Sequence, residues 1–118
     1  MSSPTLVAEA TRRSGVVWVA GALLWHVWHD GAMYVVGGGP EQDLPVGPGD
    51  RAVVTVRSKA SQSGVVVEWA ADVDAVAPGT PLWDEVLPLL AGERLNAEAG
   101  RAERWAAECT VLRFTPSG

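Results

Sequence analysis

The chain has 118 residues, 47% of them apolar and 19% charged, with a formal net charge of −5, a size and composition that suit one domain with a substantial core. The acidic balance excludes binding of nucleic acid through a broad basic face, and a single cysteine excludes a disulfide framework or a Cys-rich zinc site. No apolar stretch reaches the ~18–20 residues that span a bilayer, and Met1-Ser2-Ser3-Pro4 lacks the layout of a secretory leader, so the expectation is a soluble, cytoplasmic, single-domain protein over 1–118.

Residues 4–14 read as a short helix. Leu6, Val7 and Ala10 form its apolar stripe, Pro4 fits a first turn, and Arg12-Arg13 suit the negative end of the helix dipole. Strand signals dominate from Val16 onward, in a chain with 18 valines and no isoleucine. Val16–Val19 is a short buried strand, Gly21 marks a turn or bulge, and 22–29 reads as a second strand. Asp30-Gly31 is a two-residue hairpin signal because glycine tolerates positive φ, and 32–36 is the return strand.

The stretch 37–50 carries five glycines and three prolines and reads as a long loop, a length often tied to function. Arg51–Arg57 is a fourth strand and 58–64 a polar turn. Residues 65–76 form a long fifth strand. Glu68, Asp72 and Asp74 share its wet side; Val67, Trp69, Ala71 and Val73 share its dry side.

Thr80 can cap a helix with Pro81 at its first position and Asp84-Glu85 in its first turn. Trp83, Val86, Leu87 and Leu90 then make the packing stripe, while Pro88 removes a backbone bond and should kink or shorten the helix. Asn96 is a candidate cap for further helix, 101–108 reads as a helix around Trp105, and 109–115 is the last strand.

No local pattern announces nucleophilic catalysis. Gly47-Pro48-Gly49-Asp50-Arg51-Ala52 has the letters of a dinucleotide fingerprint but stands before a strand, so it reads as a turn. His26 and His29 have opposite strand parity, which opposes a shared metal. Cys109 reads as a small core residue. Six tryptophans are unusual in a chain this short and suggest an interface or a ligand-stacking surface as well as core packing. Gly37-Gly38-Gly39 can present backbone N–H groups to an anion, and Arg57-Ser58-Lys59 is a tight basic cluster.

The ribbon His26-Val27-Trp28-His29-Asp30-Gly31-Ala32-Met33-Tyr34-Val35-Val36, followed by the long strand Val65-Val66-Val67-Glu68-Trp69-Ala70-Ala71-Asp72-Val73, gives a layout that resembles the FMN-binding split-barrel family. That family includes pyridoxamine 5′-phosphate oxidase-like proteins and the actinobacterial deazaflavin-dependent reductases. The resemblance covers roughly residues 10–115. It implies a mainly β fold with short helices, a six-stranded antiparallel split β-barrel that forms a homodimer with flavin sites at the subunit interface.

The implied cofactor is FMN or a deazaflavin (F420), with the redox chemistry belonging to the flavin. Gly37, Gly38 and Gly39 would offer backbone donors, Arg57 and Lys59 would face the phosphate, and His26 and Trp28, which share parity, would wall the ring. Where the family usually places Ser or Thr and then Lys, this chain has Gly37-Gly38-Gly39-Pro40-Glu41-Gln42-Asp43. The functional expectation is an oxidoreductase-like dimer acting on a small organic molecule. The alternative is a non-catalytic barrel dimer, without a flavin site, that binds a small molecule or a partner protein.

Overall fold

The computed structural model describes residues 4–13, 16–38, 44–57, 66–93 and 109–117. The expected helix over 101–108, the cap at Asn96, the turn over 58–64, and Gly39 and Lys59 lie outside the described residues. In chain order the elements are α1 (Pro4–Arg13), β1 (Val16–Val19), β2 (Ala22–Trp25), β3 (Val27–His29), β4 (Ala32–Gly37), β5 (Arg51–Arg57), β6 (Val66–Val76), α2 (Pro81–Glu93) and β7 (Thr110–Pro116).

All strand pairs are antiparallel, and the sheet order is β2-β1-β5-β6-β7-β4-β3. The two end strands of that order are neighbours in sequence, separated by His26 alone. The sheet therefore curls until its ends meet, giving a nearly closed barrel with short helices.

Among the described residues, seven strands stand where the sequence suggested six. The segment 22–29 is not one continuous strand, because its first half pairs with β1 and its second half with β4. A ribbon that serves both margins of a curled sheet has to turn a corner, and it turns at His26.

The two hairpins beside that corner share one device. Ala20 and Gly21 have φ of +48° and +82°, and Asp30 and Gly31 have φ of +47° and +81°. Two consecutive positive-φ residues are the signature of the type I′ turn, whose twist matches that of the strands it joins.

Strand alternation sorts the side chains. Val17, Val19, Leu24, Met33, Val35, Val54, Val56, Val67, Trp69, Ala71, Val73, Leu112 and Phe114 fill the barrel together with Val7 of α1. A second apolar layer lies outside the barrel wall: Val27, Ala32, Tyr34, Val36, Val76 and Val111 pack against Trp83, Val86 and Leu90 of α2. Every residue of β4 is buried for this reason, one side facing the barrel and the other facing α2.

Thr80 caps α2 as its sequence position implies, accepting a hydrogen bond at Oγ1 from the Trp83 N–H at 3.3 Å. Pro88 sits inside the helix, which continues past it to Glu93.

Candidate functional site

The sequence points to two regions for a ligand: the corner of the barrel at His26 and Trp28, and the strand ends at Gly37-Gly38 and Arg57. At the corner, the side chains are engaged in holding α1. His26 is 4% exposed, and its Nε2 lies 2.6 Å from the carbonyl oxygen of Thr11 in α1, to which it donates as the Nε2–H tautomer.

The Thr11 side chain completes the joint. Its Oγ1 accepts a hydrogen bond from the Trp69 indole N–H at 3.1 Å. Trp28 then meets Trp69 edge to face, ring centroids 5.9 Å apart and planes at 86°, a favoured aromatic arrangement. His26 and Trp28 do share a side of the ribbon, and it is the side that packs on the interior and on α1.

The strand ends are arranged differently. Gly37 is the last residue of β4 and sits opposite Thr110 of β7, while the neighbouring β7 residue Val111 sits opposite Val76 at the end of β6. Arg57 is the last residue of β5 and sits opposite Val66 at the start of β6. The glycines and Arg57 thus lie at opposite ends of β6, separated by about 30 Å of strand at ~3.3 Å per residue. They do not converge on one phosphate within a single protomer.

Gly38 has φ of +85°, and its carbonyl accepts a weak hydrogen bond from the Cys109 thiol at 3.2 Å. Cys109 is half-buried and lies against the layer under α2. The Gly47–Asp50 segment is the turn that its context implied. The Asp50 carboxylate accepts from the Gly47 N–H at 2.7 Å, and the segment is pinned to β6 by Gly49 N to Val73 O at 2.8 Å and Val73 N to Asp50 O at 2.9 Å.

A second polar group runs over the outer wall, and sequence reading did not anticipate it. The His29 Nε2 lies 3.5 Å from a Glu85 carboxylate oxygen on α2, and its ring is 6.3 Å from that of Tyr34. Arg113 stands directly across from Tyr34 in the β4–β7 pair, and its guanidinium pairs with Asp74 at 3.4 Å. Burial raises the pKa of the Tyr34 hydroxyl above its ordinary 10.0, outweighing the nearby Arg113 charge, which lowers it. The pairing of Asp74 with Arg113 and of Arg113 with Tyr34 follows from register, which sequence spacing alone does not give. Among the described residues, no three His, Cys, Asp or Glu side chains gather in a way that could hold a metal.

The outer face of β2, β1 and β5 is a third candidate. Val16, Trp18, Leu23 and Val53 are 37%, 39%, 50% and 53% exposed there. The tryptophan count had suggested such a surface, but only the alternation of β1 shows that Trp18 belongs to it.

These features define a split-barrel-like class of fold with α2 packed on one outer face. No family model matches the chain, and no curated protein matches it in sequence. Among solved structures, the crystal structure of HutZ, described as the heme storage protein from Vibrio cholerae, is similar to it. The TM-score is 0.64 at 11% identity, and the match covers 100% of this chain and 92% of that chain. At that identity the likeness shows the fold. No described helix is long and apolar enough to cross a membrane.

Proposed function

We propose that the chain is a cofactor-binding split-barrel protein that works as a homodimer and holds a planar, conjugated ligand where its two protomers meet. The observation that carries this reading is the end-to-end structural match to a protein described as storing heme. The resemblance of the ribbon 26–36 and the strand 65–73 to flavin-binding barrels supports the same general role with FMN or a deazaflavin as the ligand. The chemistry then follows the ligand. A bound flavin makes the chain an oxidoreductase of small organic molecules, and a bound haem makes it a carrier or store.

A site between protomers agrees with the placement of the expected flavin contacts. Gly37-Gly38 and Arg57 are far apart within one chain, so a single ligand reaches both sets only if a second copy supplies one of them. Within one protomer the set does not fit a flavin phosphate, and no catalytic step is derived through it.

Absorbance titration tests the proposal. Purified chain is titrated separately with FMN, with a deazaflavin and with haemin. We expect one of the three to bind with a shifted spectrum and a Kd below about 10 μM. No uptake of any of them at high micromolar concentration overturns it.

A further inference from the structure

The two helices are fastened to the barrel by different means. On α2, Trp83, Val86 and Leu90 are buried in an apolar layer, and Leu82 and Leu87 pack beside them. Among the described side chains of α1, Val7 is the buried apolar one and Ala10 is half-buried against the same core. The remaining buried one is Thr11, which is polar.

Thr11 meets the barrel through two oxygens. Its carbonyl lies in the last turn of α1, where helix carbonyls lose their partners within the helix, and it accepts from His26 Nε2 at 2.6 Å. Its Oγ1 accepts from the Trp69 indole N–H at 3.1 Å. His26 stands at the corner between β2 and β3, and Trp69 belongs to β6. β3 and β6 share no ladder, so α1 lies across one end of the barrel, over the Trp28–Trp69 pair.

Three properties let this end piece lift away by itself. A helix of ten residues is too short to persist unaided in water, so α1 keeps its shape only while docked. A hydrogen-bonded joint adds little net stability, because water satisfies the same donors and acceptors once the joint opens. The sheet order runs from β2 to β3 without α1, so its release breaks no strand pair.

We propose that α1 is a lid, a unit that undocks and redocks while the seven-stranded barrel and α2 stay folded. Proteins open in such cooperative pieces where few apolar contacts hold a segment. Opening breaks the Thr11 joint, draws Val7 out of the core and bares His26, Trp28 and Trp69 at the barrel end. The lid goes beyond the cofactor reading. It needs neither a ligand nor a second copy of the chain, and its failure leaves that reading intact.

Native-state hydrogen exchange of the full chain, without added ligand, tests the lid. The amides of residues 8–13 should exchange at least ~100-fold faster than those of β6 and β7, yet more slowly than in an unstructured chain. Their exchange should also depend less on urea, because opening exposes less surface than unfolding. Val7→Ala should speed exchange of α1 about tenfold, the effect of removing two buried methyl groups' worth of packing.

Val86→Ala on α2 separates the two events. It weakens the barrel whether the lid is open or shut, so β6 and β7 amides should exchange ~10-fold faster while α1 amides keep their rate. Leu87→Ala, at a half-buried position, carries the test if circular dichroism shows Val86→Ala unfolded. If α1 amides quicken together with the barrel amides, the proposal is overturned, because the helix then leaves only when the whole fold does. Unprotected α1 amides in the wild type overturn it as well, since such a lid has no closed state.

Discussion

The two outer faces of the barrel are made of the same kind of residue and meet different fates. Over β3, β4 and β7, the outward side chains Val27, Tyr34, Val36 and Val111 lie under Trp83, Val86 and Leu90 of α2 and are buried. Over β1, β2 and β5, the outward side chains Val16, Trp18, Leu23 and Val53 remain between 37% and 53% exposed. The strands obey one alternation throughout, so strand periodicity decides which side faces out. What finally covers that side is decided elsewhere in the chain.

The largest expected effects come from uncovering the covered face. Trp83 is 5% exposed on the α2 stripe, and Trp83→Ala should cost about 3–5 kcal/mol, the range for deleting a buried aromatic. Trp18→Ala, at a position 39% exposed, should cost under ~1 kcal/mol, since a side chain that stays partly in water gains less from burial. Urea unfolding distinguishes the two. Equal costs at both positions would erase the distinction between the faces.

A smaller effect is expected where α1 meets the barrel. Thr11→Val removes the acceptor of the buried Trp69 indole N–H while leaving the backbone carbonyl that pairs with His26. Stranding one buried donor costs about 1–3 kcal/mol. Equilibrium unfolding followed by circular dichroism reads this loss, and Thr11→Ser, which keeps the hydroxyl, should recover most of it.

Much of the fold was legible because it depends on alternation and turn chemistry. The Asp30-Gly31 hairpin, the wet and dry sides of β6 and the Thr80 cap all follow from residue types at short spacing. The break at His26 was not legible. Ala22 to His29 has strand composition throughout, and only the closure of the sheet forces two partners on one ribbon.

The candidate site was legible in part. Shared parity of His26 and Trp28 was readable, but their attachment to Thr11 and Trp69 spans 15 and 41 positions of sequence and depends on where α1 docks. The separation of Gly37 from Arg57 depends on the register of β6 and β7, which local pattern does not encode.

Tyr34 sharpens the covered face at high pH. It is the single tyrosine of the chain, so its phenolate absorbance can be followed alone. Burial favours the neutral phenol in the folded state and raises the pKa above 10.0. A raised folded pKa gives stability that is fully present below the unfolded value and is lost as pH climbs past it. The unfolding free energy should therefore begin to fall above about pH 10. Tyr34→Phe should remove Tyr34's contribution to that slope while keeping the ring packed in the layer under α2. A Tyr34 titration at or below the ordinary value would show that the layer under α2 is wetter than its packing indicates.

The smallest expected change lies at the turn that sets up the open face. Ala20 takes φ of +48° with Gly21 behind it at +82°, so an L-residue with a Cβ occupies a left-handed position. That conformation costs ~1 kcal/mol for alanine, and glycine escapes the steric part at the expense of a more flexible unfolded chain. Ala20→Gly should therefore stabilise by only a few tenths of a kcal/mol. Ala20→Asn should do at least as well, since asparagine tolerates this region and keeps more backbone restriction when unfolded. The matching turn already has Asp30 at φ +47°, so Asp30→Asn should change the conformational cost little. Urea unfolding checks these variants, and a loss of more than ~1 kcal/mol on Ala20→Gly would show that the Ala20 side chain makes contacts that outweigh its backbone strain.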